Sequence, residues 1–221
     1  MCRRFDTSGL FWSDIYDQLS DFLMVSTAPL DLEPSADVRP ATRQLTARIK
    51  DGAWTLEKMR WGLVPNWRSG KPLMDTSKGA GDGFKLTTFN CKVENFDTGG
   101  DKRSATFAEA FKRRRCIVPA TAWFEWTGAA RAKKKHRFAR ADGAPIWFAG
   151  LYDRCTTSDA GEVASFTIMT GPSDGWLGEY HTRAPVILEP GREWAEWLDP
   201  TRDADRLLKA VRPDRFKPSA A

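Results

Sequence analysis

His136-Arg137-Phe138-Ala139-Arg140 and Ile146-Trp147-Phe148-Ala149-Gly150-Leu151-Tyr152, joined by Ala141-Asp142-Gly143-Ala144-Pro145, are the residues on which the fold class turns. Two apolar, aromatic-rich runs flank an Asp-Gly dipeptide. That pattern predicts an antiparallel β-hairpin with Asp142-Gly143 at its turn. Outward from it, Cys116-Ile117-Val118-Pro119 reads as a short buried strand, followed by the aromatic run Trp123-Phe124-Glu125-Trp126. Further strands are expected over Ala53–Val64, Ser165–Met169 and Pro185–Leu188. Helices are expected over Ser13–Met24, where Ile15, Leu19, Phe22 and Leu23 share a face, and from the capping box Thr106-Phe107-Ala108-Glu109. Two more are expected at Glu193–Leu198 and Asp203–Val211. Ala28–Pro40 and Ser69–Phe84 read as loops, and Pro213–Ala221 as a frayed tail. The whole predicts one α+β domain spanning 1–221, with a mainly antiparallel, curved, barrel-like sheet and peripheral helices.

Composition narrows the class. The chain has 221 residues, 41% of them hydrophobic, which suits one sizeable domain. It lacks the ~18-residue apolar run that crosses a membrane, and its first ten residues carry no secretory h-region. The four cysteines, Cys2, Cys91, Cys116 and Cys155, are widely spaced and form no C-x-x-C pair. A reducing, cytoplasmic location is expected, nucleoid-associated in a bacterium. A zinc site from Cys2, Cys91 or Cys155 with His181 matches no common ligand spacing, and no metal or cofactor is expected. The net charge of +5 suits a polyanion. The runs Arg113–Arg115 and Lys133–Lys135 read either as solvated surface or as part of that footprint. Ten tryptophans is a high count; some must fill the core, and others are candidates for stacking on unpaired bases.

The chemistry begins at Met1-Cys2-Arg3-Arg4. If Met1 is removed, Cys2 carries an α-amine and a thiol together, a 1,2-aminothiol whose natural partner is an aldehyde. The amine gives a Schiff base and the thiol closes a thiazolidine; an α-amine pKa of about 7.7–8.0 leaves some of it neutral near pH 7. The alternative is a cysteine that merely follows the start codon. Glu125 sits among aromatics, so it either alternates out to solvent or is buried with a raised pKa as a proton carrier. His181 precedes Arg183 and a strand, an arrangement suited to acid catalysis beside a phosphate, although a lone histidine is commonly structural. Period-two alternation would put Asn90, Lys92 and Glu94 on one face, which suits a phosphate-lined pocket or an ordinary wet strand.

Six blocks then occur in order: Met1-Cys2-x-Arg4-Phe5, Arg60-Trp61-Gly62-Leu63-Val64-Pro65-x-Trp67, Asn90-x-Lys92-x-Glu94, Arg114–Ala120, Phe124-Glu125-Trp126 and His181-x-Arg183-x-Pro185-Val186-Ile187-Leu188. Together they resemble the SRAP (SOS-response-associated peptidase) family over about residues 2 to 198. The resemblance implies single-stranded DNA containing abasic sites as partner, and a covalent thiazolidine cross-link to the ring-opened sugar that shields the lesion. A β-elimination lyase side activity is a further expectation. By motif, it makes Cys2 the nucleophile, Asn90 the residue that positions the N-terminus or sugar, Glu125 the proton carrier and His181 the acid or base. Lys92 and Arg183 would grip flanking phosphates, with Arg3, Arg4 and Trp67 as further DNA contacts. The sequence departs from the family pattern at Arg3, at Cys91-Lys92-Val93 within the asparagine block, and at Ala184. A monomer is expected. Two other functions fit the same residues: an N-terminal-nucleophile cysteine peptidase acting on its own Met1, and a non-catalytic single-strand binder.

Overall fold

The computed structural model describes residues 2–73, 88–96, 104–129, 131–202, 204–208 and 213–221. Most of the loop expected over Ser69–Phe84 and the end of the helix expected at Asp203–Val211 lie outside them. In chain order the elements are β1 (Phe5–Asp6), α1 (Trp12–Ser20), β2 (Arg43–Lys50), β3 (Ala53–Trp61), β4 (Asn90–Lys92), α2 (Ala108–Arg113), β5 (Arg115–Ala120), β6 (Ala122–Thr127), β7 (Lys134–Arg140), β8 (Ile146–Thr157), β9 (Gly161–Pro172), β10 (Arg183–Pro185), α3 (Arg192–Leu198) and β11 (Phe216–Ala220). Short 3-10 turns lie between several of them.

Five strands close on themselves in the order β9-β3-β2-β5-β8 and back to β9. β4 and β10 attach to the far half of β9. A second sheet runs β1-β6-β7-β11. Pairing is antiparallel among the described strands except where β9 meets β3 and β4. The expected α+β, mainly antiparallel, barrel-like sheet with peripheral helices is what forms.

Both faces of the closed sheet are covered, which explains why β5 and β8 read as nearly continuous apolar runs. Cys116, Val118, Phe148 and Phe166 pack toward the second sheet, with Phe5, Trp123, Phe138 and Phe216. Their alternates Ile117, Trp147, Ala149 and Leu151 pack toward the helices, with Ile15, Leu19, Trp194 and Trp197. Alternation along each strand is thus preserved, but between two cores rather than between core and water.

Several expectations are corrected. The runs either side of Asp142-Gly143 are strands, but they do not pair with each other. β7 lies between β6 and β11, and β8 between β5 and β9. Gly143 takes φ 77° and its N–H donates to Arg140 O at 3.2 Å, so a turn forms there. It carries the chain from one sheet to the other. A hairpin of the expected type joins β2 to β3 through Asp51 (φ 51°) and Gly52 (φ 76°), both left-handed as a two-residue turn requires. Phe216–Ala220, expected to fray, is a strand paired along β7. The helix expected from Thr106 starts two residues later, after Phe107, with no side-chain cap. The helix expected over Ser13–Met24 spans Trp12–Ser20. Around Leu207 the chain forms a 3-10 turn, Asp205–Leu208, in place of the expected α-helix. None of the described helices is long and apolar enough to cross a membrane.

Candidate functional site

The N-terminal strand places Cys2. β1 pairs with β6 through Phe5↔Trp123 and Asp6↔Ala122, and the Phe124 N–H donates to Arg4 O at 3.0 Å. The chain therefore continues along β6 toward Glu125, and Cys2 is fully buried. Asn90 meets it from the other layer. Its Nδ2 donates to the Cys2 carbonyl at 2.6 Å, while β4 is fixed on β9 by Asn90↔Ile168. Asn90 Oδ1 is buried and has no hydrogen-bond partner among the described residues. The expected pairing of Asn90 with the N-terminal residue is thus a direct contact.

Electrostatics ties Glu125 to the same place. It lies on the same face of β6 as Trp123, opposite His136 on β7, and is 4% exposed. Of its two sequence readings, burial is the one realised. Burial raises its pKa from 4.5 to about 7, against the pull of the chain's N-terminal positive charge and of Arg3. The Cys2 thiol is held far above its ordinary value, first by burial and next by the Glu125 carboxylate. The thiol is therefore neutral at rest, and a base must take its proton before sulfur attacks. A carboxylate near pH 7 is matched to that task.

His181 follows a 3-10 turn, Gly175–Glu179, whose Leu177 O accepts the His181 N–H at 3.2 Å. The Arg183 N–H donates to His181 Nδ1 at 2.9 Å. Nδ1 is thereby the unprotonated nitrogen, and the neutral ring carries its proton on Nε2. Its pKa is lowered by burial, then by the N-terminal positive charge, with Arg183 and Arg3 adding to it. Cys2, Glu125 and His181 thus share one electrostatic neighbourhood, which Arg3 also enters. Arg3 itself is exposed, 5.8 Å from the Phe89 ring centroid.

The expected phosphate contacts divide. Lys92 is exposed at the end of β4, while Asn90 on the same strand is buried. Arg183 is engaged: its two terminal nitrogens reach the Glu94 carboxylate at 2.6 and 2.7 Å, and one also donates to Thr170 O at 2.6 Å. Arg4 binds Asp37 at 2.8 Å and covers Trp126, 5.6 Å from its ring. Trp67 is 54% exposed on the turn Asn66–Arg68, which is fixed on β8 by Asn66 donating to Arg154 O. Six other tryptophans are fully buried, so most of the ten fill the core. Glu94 and Asp37 are the partners that sequence reasoning missed. Glu94 stood in the quoted block, but β4 ends at Lys92 and a 3-10 turn, Val93–Phe96, swings Glu94 to Arg183.

The arginine run is not a DNA footprint as a unit. Arg115 is buried, donates to the carbonyls of Phe111, Trp197, Asp199 and Arg202, and stacks on Phe111 and Trp197. Arg114 pairs with Asp153 at 3.1 Å. Among the described residues no His, Cys, Asp and Glu group could hold a metal ion.

A model for the SOS response associated peptidase (SRAP) family matches residues 1–219. Abasic site processing protein YoaM of Bacillus subtilis is 29% identical over 213 residues, covering 96% of this chain and 85% of that protein. Abasic site processing protein YedK of Escherichia coli is 31% identical over 171 residues, 75% of this chain and 67% of that protein. A Saccharomyces cerevisiae abasic site processing protein is 33% identical over 164 residues, which make up 72% of this chain but only 40% of the yeast protein. Among solved structures, a protein from Bordetella bronchiseptica superposes with a TM-score of 0.74 at 25% identity, covering 100% of this chain and 99% of that one. With the family model spanning almost every residue and the fold shared across whole chains, this protein belongs to the SRAP family.

Proposed function

We propose that the protein processes abasic sites in single-stranded DNA by covalent capture on Cys2. The observation that carries this is the convergence of Cys2, tied through its carbonyl to Asn90, with a buried Glu125 whose pKa is about 7. The names of the relatives from Bacillus subtilis and Escherichia coli point to the same substrate. After loss of Met1, the neutral α-amine of Cys2 adds to the C1 aldehyde of the ring-opened sugar. The carbinolamine loses water to give an imine. The thiol then adds across the C=N bond, its proton passing through Glu125 to the ring nitrogen. The net change is aldehyde plus aminothiol giving thiazolidine plus water. His181, its Nδ1 fixed by the Arg183 N–H, serves through Nε2 as hydrogen-bond donor or acid toward the sugar oxygens. The exposed Arg3 and Lys92 supply cations for flanking phosphates, and Trp67 a face for a neighbouring base. Single-stranded substrate follows from cost, since an unpaired site is reached without breaking pairs.

Untagged protein, shown by intact mass to start at Cys2, is mixed with a single-stranded oligonucleotide carrying one abasic site and run on a denaturing gel beside Cys2→Ala. A heat-stable shifted band in wild type alone is expected. Equal bands in both proteins would remove Cys2 from the chemistry. No band in either, with binding that does not distinguish the lesion, would leave a non-covalent single-strand binder.

A further inference from the structure

We infer that Glu94 is a positioning residue for His181, acting through Arg183. This rests on the role given to His181 above. Three observations converge. The Arg183 guanidinium is engaged by the protein: both terminal nitrogens meet Glu94 in a fork at 2.6 and 2.7 Å, and one also reaches the Thr170 carbonyl at 2.6 Å, while Nε is buried with no partner among the described residues. The side chain is only 14% exposed, so little of it faces solvent or a strand of DNA. Its backbone N–H, in turn, is the donor that fixes His181 Nδ1 at 2.9 Å. Side chain and main chain of one residue therefore join two elements: the 3-10 turn bearing Glu94 and the segment bearing His181.

The consequence is chemical. A free imidazole samples two tautomers and rotates about χ2. Here the Arg183 N–H points at Nδ1 and selects the form with Nε2–H. The position of that N–H depends on β10, a strand of only three residues paired to the end of β9 through Arg183↔Pro172. The neighbouring rungs are held by Ser173 N–H donating to Thr182 O at 3.0 Å and Val186 N–H donating to Met169 O at 2.9 Å, which leaves the Arg183 N–H free of the ladder to meet His181. The bidentate Glu94 bond anchors the same residue through its side chain. A planar guanidinium fork gives geometric definition that a lysine would not. Glu94 is held in its charged form by the Arg183 hydrogen bond, consistent with a permanent rather than occasional pair.

The rival role predicts an effect of opposite sign. If Glu94 only occupied a phosphate-binding arginine, its removal would free Arg183, tighten DNA binding and speed cross-linking. As a positioning residue, its removal leaves binding of an intact, lesion-free oligonucleotide unchanged within about twofold. Cross-linking at saturating abasic DNA then slows by about tenfold, a fraction of the 10²–10⁴-fold that a well-placed acid or base supplies.

The experiment compares wild type, Glu94→Ala, Glu94→Gln and Arg183→Lys, all confirmed to begin at Cys2. It measures single-turnover cross-linking and lesion-free DNA affinity. 15N-detected NMR of the two histidines reads the tautomer directly. The expected result is slowed cross-linking in all three variants, with the His181 Nδ1 and Nε2 signals moving toward a mixture of tautomers while His136 is unchanged. Arg183→Lys is the second variant because it keeps the backbone donor and a positive charge but loses the fork. Faster cross-linking or tighter DNA binding in Glu94→Ala overturns the inference in favour of a masked clamp. Unchanged His181 signals in folded variants overturn it as well. Absence of cross-linking in wild type refutes the proposed function instead, and the NMR comparison still decides whether Glu94 sets the His181 tautomer.

Discussion

Replacing Glu125 by glutamine should raise stability while removing function, and only above a certain pH. The carboxyl is 4% exposed and its pKa stands at about 7, against an ordinary 4.5. A folded-state pKa above the unfolded one means the proton favours the fold. That stabilisation is complete below pH 4.5 and is lost as the pH rises through about 7. At about 1.4 kcal/mol per pH unit, the gap between 4.5 and about 7 amounts to about 3 kcal/mol of stability forfeited by wild type in alkaline solution. Glutamine has the same shape and never ionises, so it avoids that loss, less whatever its amide fails to satisfy. Urea denaturation of both proteins at pH 5 and pH 8.5 checks this. The difference in unfolding free energy, Glu125→Gln minus wild type, should be more favourable at pH 8.5 by about 2–3 kcal/mol, while cross-linking by the variant falls at both pH values. A difference that stays the same between pH 5 and 8.5 would show that Glu125 is not a buried carboxylate titrating near neutrality, and the proton-carrier role would go with it.

Asn90→Ala removes the donor to the Cys2 carbonyl and leaves that buried oxygen unpaired. A stability loss of about 1–3 kcal/mol in urea is expected, with slower cross-linking, since the aminothiol is no longer held. Arg115→Ala strips four carbonyls of their donor, and more than about 3 kcal/mol should be lost by thermal or urea unfolding. Arg115→Lys should rescue little of it, because one ammonium cannot reproduce the planar fork and its stacking. Trp67→Ala should leave the melting temperature unchanged, because the ring is more than half exposed, yet weaken single-stranded DNA binding by about 1–3 kcal/mol in a titration.

How much of this was legible in the residues depends on the range over which each signal acts. Cys2, Asn90 and Glu125 could be singled out because each is an improbable residue in its local setting. Asp142-Gly143 and Asp51-Gly52 show the limit. The dipeptide is the same, and each forms a turn. Only Asp51 adopts the left-handed conformation that folds two strands onto each other, while Asp142 instead accepts from the Ala144 N–H and from Arg140. Which strand a strand pairs with is decided by vacancies elsewhere: β7 already has β6 and β11 at its sides. β11 itself was illegible because Phe216 is its sole buried residue, and Pro218 suits an edge. Arg115 and Arg183 read as free cations because their partners, backbone carbonyls and a carboxylate 89 residues away, have no local signature.

The ring closed by β9 also sets an order of events during folding. Asn90 owes its position to Ile168, and Cys2 owes its own to Asn90. The first residues of the chain thus acquire their working geometry only after residue 168 has joined the sheet. The two pairs that join β3 to β9, Arg60 with Ser165 and Trp61 with Phe166, each span about half the chain, so closing the ring carries a large loop-closure cost. Until then Asn90 does not hold the Cys2 carbonyl, and the burial that raises the Cys2 thiol and the Glu125 carboxyl is absent. The electrostatic setting of Cys2 is thus a property of the closed ring rather than of the N-terminal segment.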